Sequence, residues 1–184
     1  ERLKDFYNIY YWPNNATATV IGDFNVDSTL SLIEKYFGEH SKSEHEIPKV
    51  YTEEPQQEGP RRIVVKRTGQ AGITAVAHKT PHGLHNDIHA IHLLGKILCD
   101  GKSSRLYQKI VDQGLATSLF MYDFPFKDNG LFITYAFLTP EVSNQKVEEI
   151  ILDEYNDIIN NGVDQEELSR AIAKTRATVA FSRD

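Results

Sequence analysis

The chain has 184 residues, 40% of them apolar and 25% charged, with a formal net charge of -6. That acidic balance excludes nucleic acid as the main partner, because phosphate recognition needs clustered Lys and Arg, and no window approaches the ~20 apolar residues of a membrane span. The single Cys99 excludes an intramolecular disulfide and leaves the compartment open.

Leu3, Phe6, Tyr7 and Tyr10 recur at helical spacing, so the sequence opens inside an amphipathic helix without a preceding cap, as an excised fragment would. Trp12-Pro13-Asn14-Asn15 is a turn, with Pro13 preset for that position. Thr17 to Ile21 is rich in β-branched residues and predicts a strand closed by Gly22-Asp23. Asp27 is expected to cap a helix carrying Leu30, Ile33 and Phe37 on one face and ended by Gly38. Residues 40–60 lose periodicity, carry Pro48, Pro55, Gly59 and Pro60 among charges, and read as a linker.

Two strands are predicted next, 62–67 and 73–78, joined by Gly69-Gln70-Ala71-Gly72. Helices follow at 86–98 and 103–113, with Gly101 turning the chain between them. Strands resume at 116–124 and 131–138 around a Lys127-Asp128-Asn129-Gly130 hairpin turn. A helix over 143–160 ends at Asn161-Gly162. Asp164 and Glu167 form a capping box for the last helix, whose face of Leu168, Ala171, Ile172, Thr175 and Val179 still runs near Asp184. Locally paired strands with helices grouped between the pairs predict an α+β sandwich rather than a doubly wound sheet.

Two segments carry more. Tyr11 to Phe24 holds an aromatic-Pro-Asn-Asn turn, an apolar stretch and Gly22-Asp23, and Gly101-Lys102-Ser103-Ser104-Arg105-Leu106-Tyr107 lies some eighty positions on. Together they resemble the pitrilysin/insulinase family of inverted zinc metallopeptidases. The resemblance implies a two-layer sandwich: a mixed, largely antiparallel sheet with helices on one face, as in mitochondrial-processing-peptidase-like metallohydrolases. It implies that residues 1–39 are the closing helix-strand-helix of one repeat unit, 40–60 a linker, and 61–184 most of a following, non-catalytic unit. The family binds zinc through H-x-x-E-H and a later Glu, and no H-x-x-E-H occurs in this sequence.

By the same resemblance, members whose second half holds substrate place an Arg and a Tyr on peptide carbonyls, at positions that here read Val111 and Thr117. Val has no donor, and the Thr hydroxyl is too short to stand in for a phenol. The implied role is a non-catalytic C-terminal piece of a zinc endopeptidase, walling a chamber around a peptide, with zinc and catalysis supplied outside this chain. The alternative is a structural or assembly subunit from a peptidase that has lost catalysis. Implied partners are the catalytic half of the same protein or a homologous subunit, a peptide substrate, and a second copy through apolar surfaces. The resemblance does not fix the location, with the bacterial periplasm or cell envelope one candidate.

The remaining chemistry is weak. Arg105 reads as an ion-pairing residue near a helix start capped by Ser103 or Ser104. His85, His89 and His92 share a helix face, but His85 and His92 stand about 10 Å apart along it, too far to meet one ion. Glu53-Glu54 and Glu166-Glu167 are surface charges, and the Asn15-Ala16-Thr17 sequon is a pattern match alone.

Overall fold

In the computed structural model, which describes residues 2–49, 55–69 and 71–182, the chain divides into two units, Glu1–Ile63 and Val64–Asp184. In the first unit, α1 (Arg2–Tyr10) forms where aromatic residues four apart meet on one face. The Phe6 and Tyr10 rings lie 4.8 Å apart, and Tyr7 stacks on Tyr11 at 4.7 Å. Trp12 Nε1 donates to the Asn8 carbonyl at 2.7 Å and the Asn15 amide to that of Tyr10 at 2.8 Å, which fixes the 3₁₀ turn Pro13–Asn15.

Helix α2 (Val26–Phe37) starts two residues earlier than the sequence suggested: Asn25 is the cap, and Asp27 lies in the first turn. Asn25 has the extended backbone a cap needs, and its Oδ1 accepts from the Ser28 N–H at 3.0 Å. Gly38 ends the helix as expected, donating its N–H to the Glu34 carbonyl at 2.8 Å. The strand expected over Thr17–Ile21 does not form, and it joins no sheet among the described residues. β-propensity alone leaves its backbone groups with water; Ile21 is 91% exposed. Neither α1 nor α2 buries a residue.

The expected strand 62–67 is likewise absent, with Ile63, Val64 and Val65 exposed and no ladder partner. Gln70, in the joining turn, and the Glu53-Glu54 pair lie outside the described residues. The second unit builds its sheet from β1 (Ile73–His82), β2 (Ala116–Phe124) and β3 (Asn129–Leu138), in the order β1-β3-β2 and antiparallel at both seams. Gly130, the second residue of β3, must be glycine because any Cβ there would run into the Phe124 carbonyl oxygen.

Helices α3 (Ile88–Cys99) and α4 (Asn144–Asn161) lie on one face of this sheet, and α5 (Gln165–Phe181) packs against α3. The core between sheet and helices centres on Leu98, Leu106, Ile110, Leu138, Val147 and Ile151, all fully buried. Each contributes roughly 1.5–3 kcal/mol by leaving water. The capping box of α5 is present: Asp164 Oδ1 accepts from the Glu167 N–H at 2.7 Å, and Glu167 Oε2 accepts from the Asp164 N–H at 3.2 Å.

The helix expected over 103–113 is shorter and wound differently. Ser104 is no cap: its hydroxyl donates back to the Gly101 carbonyl at 2.7 Å, holding 101–104 as a turn with Gly101 at φ +90. Regular winding begins at Arg105, and Tyr107–Val111 is a π-turn in which the Asp112 N–H reaches the Tyr107 carbonyl at 3.0 Å.

Candidate functional site

Arg105 is the centre of the best-defined polar cluster. Its Nε and Nη2 meet the two oxygens of Glu167 at 2.7 and 2.6 Å, a bidentate pair, while Nη1 reaches Glu154 Oε1 at 3.1 Å and Asp157 Oδ2 at 2.9 Å. Nη2 also approaches the Gly162 carbonyl, at 3.4 Å, where the chain turns from α4 to α5. Glu154 is 1% exposed, and Lys109 is the cation facing its Oε2, which has no partner at hydrogen-bonding geometry. The Glu167 hydrogen bond holds the guanidinium well above its ordinary value, and the same bond holds the Glu167 carboxyl below its own. With its guanidinium turned onto these three carboxylates, Arg105 is an ion-pairing fastener between the π-turn segment, α4 and α5.

A second clamp joins α3 to α5. Asp100 receives Lys96 and Lys174, each at 2.9 Å; burial pushes its carboxyl up, but the two lysines together bring it below the ordinary value. Cys99 lies in the core with its thiol pushed up to about 12, chiefly by burial, and so behaves as an unreactive small apolar group.

Val111 packs half-buried against the core, whereas Thr117 sits at the start of β2 with its hydroxyl donating to the Phe137 carbonyl at 3.2 Å. The histidines do not converge: His92 Nδ1 faces Asp123 at 3.3 Å, and His85 faces Asp87 at 3.6 Å. Among the described residues no group of three His, Cys, Asp or Glu side chains could hold a metal ion. Among those residues, then, no donor set fits a zinc ion. No helix among those residues is long and apolar enough to cross a membrane.

Two apolar features remain. A groove of about 260 Å³ opens between β1, α3 and α4, lined by Pro81, Ile91, Leu94, Phe132, Ile158 and Ile159 with His78 and Tyr155 at its polar points. The other is the sheet face turned away from the helices. The registers place Ile73, Phe137 and Ser118 in one row, then Ala75, Tyr135 and Phe120, then Ala77, Ile133 and Tyr122, then Lys79, Leu131 and Phe124. Every one of these is aliphatic or aromatic except Ser118 and Lys79. Tyr122 stacks on Tyr135 at 5.5 Å and 9°, Phe120 meets Tyr135 at 5.7 Å and Phe137 at 6.1 Å, and Phe124 stacks on Tyr122 at 5.9 Å and on Phe126 at 5.8 Å. Sequence reasoning expected exposed apolar surface but did not place it on this face, although a signal was there in the apolar run of Leu131 to Leu138, broken only by Thr134.

Comparison with known proteins gives one answer. Residues 1–175 match the family described as the peptidase M16 inactive domain. The chain is 31% identical over 171 residues to the zinc protease PqqE of Helicobacter pylori, covering 91% of this chain and 38% of that protein. It is 28% identical over 179 residues to the mitochondrial presequence protease of Schizosaccharomyces pombe, covering 91% of this chain and 18% of that one. The crystal structure of a protease from Helicobacter pylori superposes with a TM-score of 0.88 at 30% identity, over 97% of this chain and 44% of the other. The chain thus spans less than half the length of each of these relatives.

Proposed function

Because this chain belongs to the family of peptidase M16 inactive domains, we propose that it serves a zinc endopeptidase as the non-catalytic part of the wall around an extended peptide. Zinc, its H-x-x-E-H ligands and the activated water then belong to residues outside this chain, in the same protein or in a homologous subunit. The observation that carries the reading is the match to the inactive domain over 1–175. Relatives named as zinc proteases support it.

Within that reading, residues 1–39 close a preceding repeat unit, 40–60 link, and 61–184 form most of the next. Val111 and Thr117 stand where substrate-holding members carry an Arg and a Tyr. A chain without that pair suits a partner that brings the zinc rather than one that grips peptide carbonyls.

The test is a quenched fluorescent peptide incubated with the parent protein, with this chain alone, and with both after treatment with a zinc chelator. Cleavage by the parent that the chelator abolishes, with none by this chain, is the expected result. A metal-loaded parent that cleaves nothing would instead favour the structural-subunit alternative.

A further inference from the structure

Resting on that reading, we propose that the sheet face turned away from the helices is the part of the wall that holds peptide. Its ligand is an extended segment with uncharged aromatic or large aliphatic side chains at alternate positions. An antiparallel sheet with one face packed and one in water ordinarily alternates apolar-in with polar-out. Here the uncovered face is the more apolar one, with Phe120 42%, Tyr122 44% and Phe124 37% exposed. The largest apolar patch on a single chain is often functional.

Size chooses between occupants. Four rows on three strands cover about 27 by 14 Å, or roughly 400 Å². A stable pairing of two folded proteins needs about 800 Å² on each side, so a second copy would gain too little from this face alone. An extended peptide fits it: side chains on one side of such a chain recur about every 6.8 Å, the same interval as the rows of the sheet. Phe120, Tyr122 and Tyr135 then offer ring faces and edges on which incoming aromatic groups stack, and Lys79 of β1, in the end row, is the one charged side chain the registers place on this face.

The test is fluorescence anisotropy of the 184-residue chain with the labelled peptide Lys-Ser-Phe-Ser-Phe-Ser-Leu-Ser-Lys, against the same peptide with Ser at the three apolar positions. The Phe/Leu peptide is expected to bind at least about tenfold more tightly. The double variant Phe120→Ser with Tyr122→Ser should lose that advantage while its circular dichroism melt stays cooperative. Tyr122→Lys alone should weaken binding in the same sense if the double variant does not fold. Ile159→Ser, in the groove on the other side, should leave binding unchanged.

Equal affinity for the two peptides, no binding of either, or weakening by Ile159→Ser instead of the sheet variants overturns the proposal. So does sedimentation showing a dimer that the double variant dissolves, since the occupant is then a second copy. None of these readouts needs zinc or cleavage. Failure here beside an active parent discards only the peptide face, and binding here beside an inactive parent discards only the peptidase role.

Discussion

Beneath the helices the sheet presents Thr74, Thr134, His78 and Asp123 among its apolar residues, whereas on the side away from them it presents an almost unbroken set of aliphatic and aromatic groups. Each of three polar residues on the covered side has found a partner on a helix. Asn144 Nδ2 donates to Thr74 Oγ1 at 3.0 Å, Tyr155 Oη donates to Thr134 Oγ1 at 2.6 Å, and Asp123 faces His92. Hydrogen-bonded this way, the buried hydroxyls and the half-buried Asp123 carboxylate cost little and fix where α4 and α3 sit. The opposite side carries few polar groups, Ser118, Lys79 and the hydroxyls of Tyr122 and Tyr135, among its apolar ones. The contrast teaches that the covered side is specified by polar matching and the open side by apolar area awaiting a partner.

The contrast breaks first on the covered side. Leu98→Ala removes a fully buried side chain and is expected to cost about 2–5 kcal/mol in a urea melt. Arg105→Ala attacks the helix layer itself, leaving Glu154 buried beside Lys109 alone, and should cost about 3 kcal/mol. On the open side, Tyr122→Ser or Phe120→Ser should cost about 1 kcal/mol or less, the value of exposed ring contacts. If those two destabilise as much as Leu98→Ala, the open face is part of the fold and not a docking surface.

The smallest effect is in pH. Glu167 has a folded value below its ordinary 4.5, so the stability from its pairing with Arg105 is complete above about pH 4.5 and is lost as pH falls through the lower folded value. Glu167→Gln should flatten the acid side of the stability profile relative to the unaltered chain, and an unchanged profile would show that other carboxylates set it.

Much of this fold was legible because its signals are local. The limits of β2, the hairpin turn before Gly130, the capping box at Asp164 and Glu167, and the helix following Ser143 all rest on residues a few positions apart. Thr17–Ile21 and 62–67 carry the same β-branched signal and form no strand, because a strand is made by a neighbour and neither finds one. The ion-pairing role of Arg105 could be anticipated, but its partners Glu154 and Glu167 lie 49 and 62 positions away and leave no trace in spacing. The open face was hidden for a related reason. A run such as Leu131 to Leu138 is apolar at odd and even positions alike, so periodicity cannot say which side the helices will take.

The π-turn at Tyr107–Val111 bears on how this chain is to be aligned with others. A hydrogen bond from residue 112 to residue 107 encloses one more residue than an α-turn, so this stretch behaves as an α-helix with a single insertion. Column-by-column matching to a relative wound as plain α-helix slips by one position on leaving it. Against such a relative, a position beyond the turn such as Thr117 keeps its spatial counterpart when the odd residue is left unmatched. Equivalence across this helix is best assigned by superposition anchored on Arg105 before it and Leu119 after it, with the odd residue left unmatched.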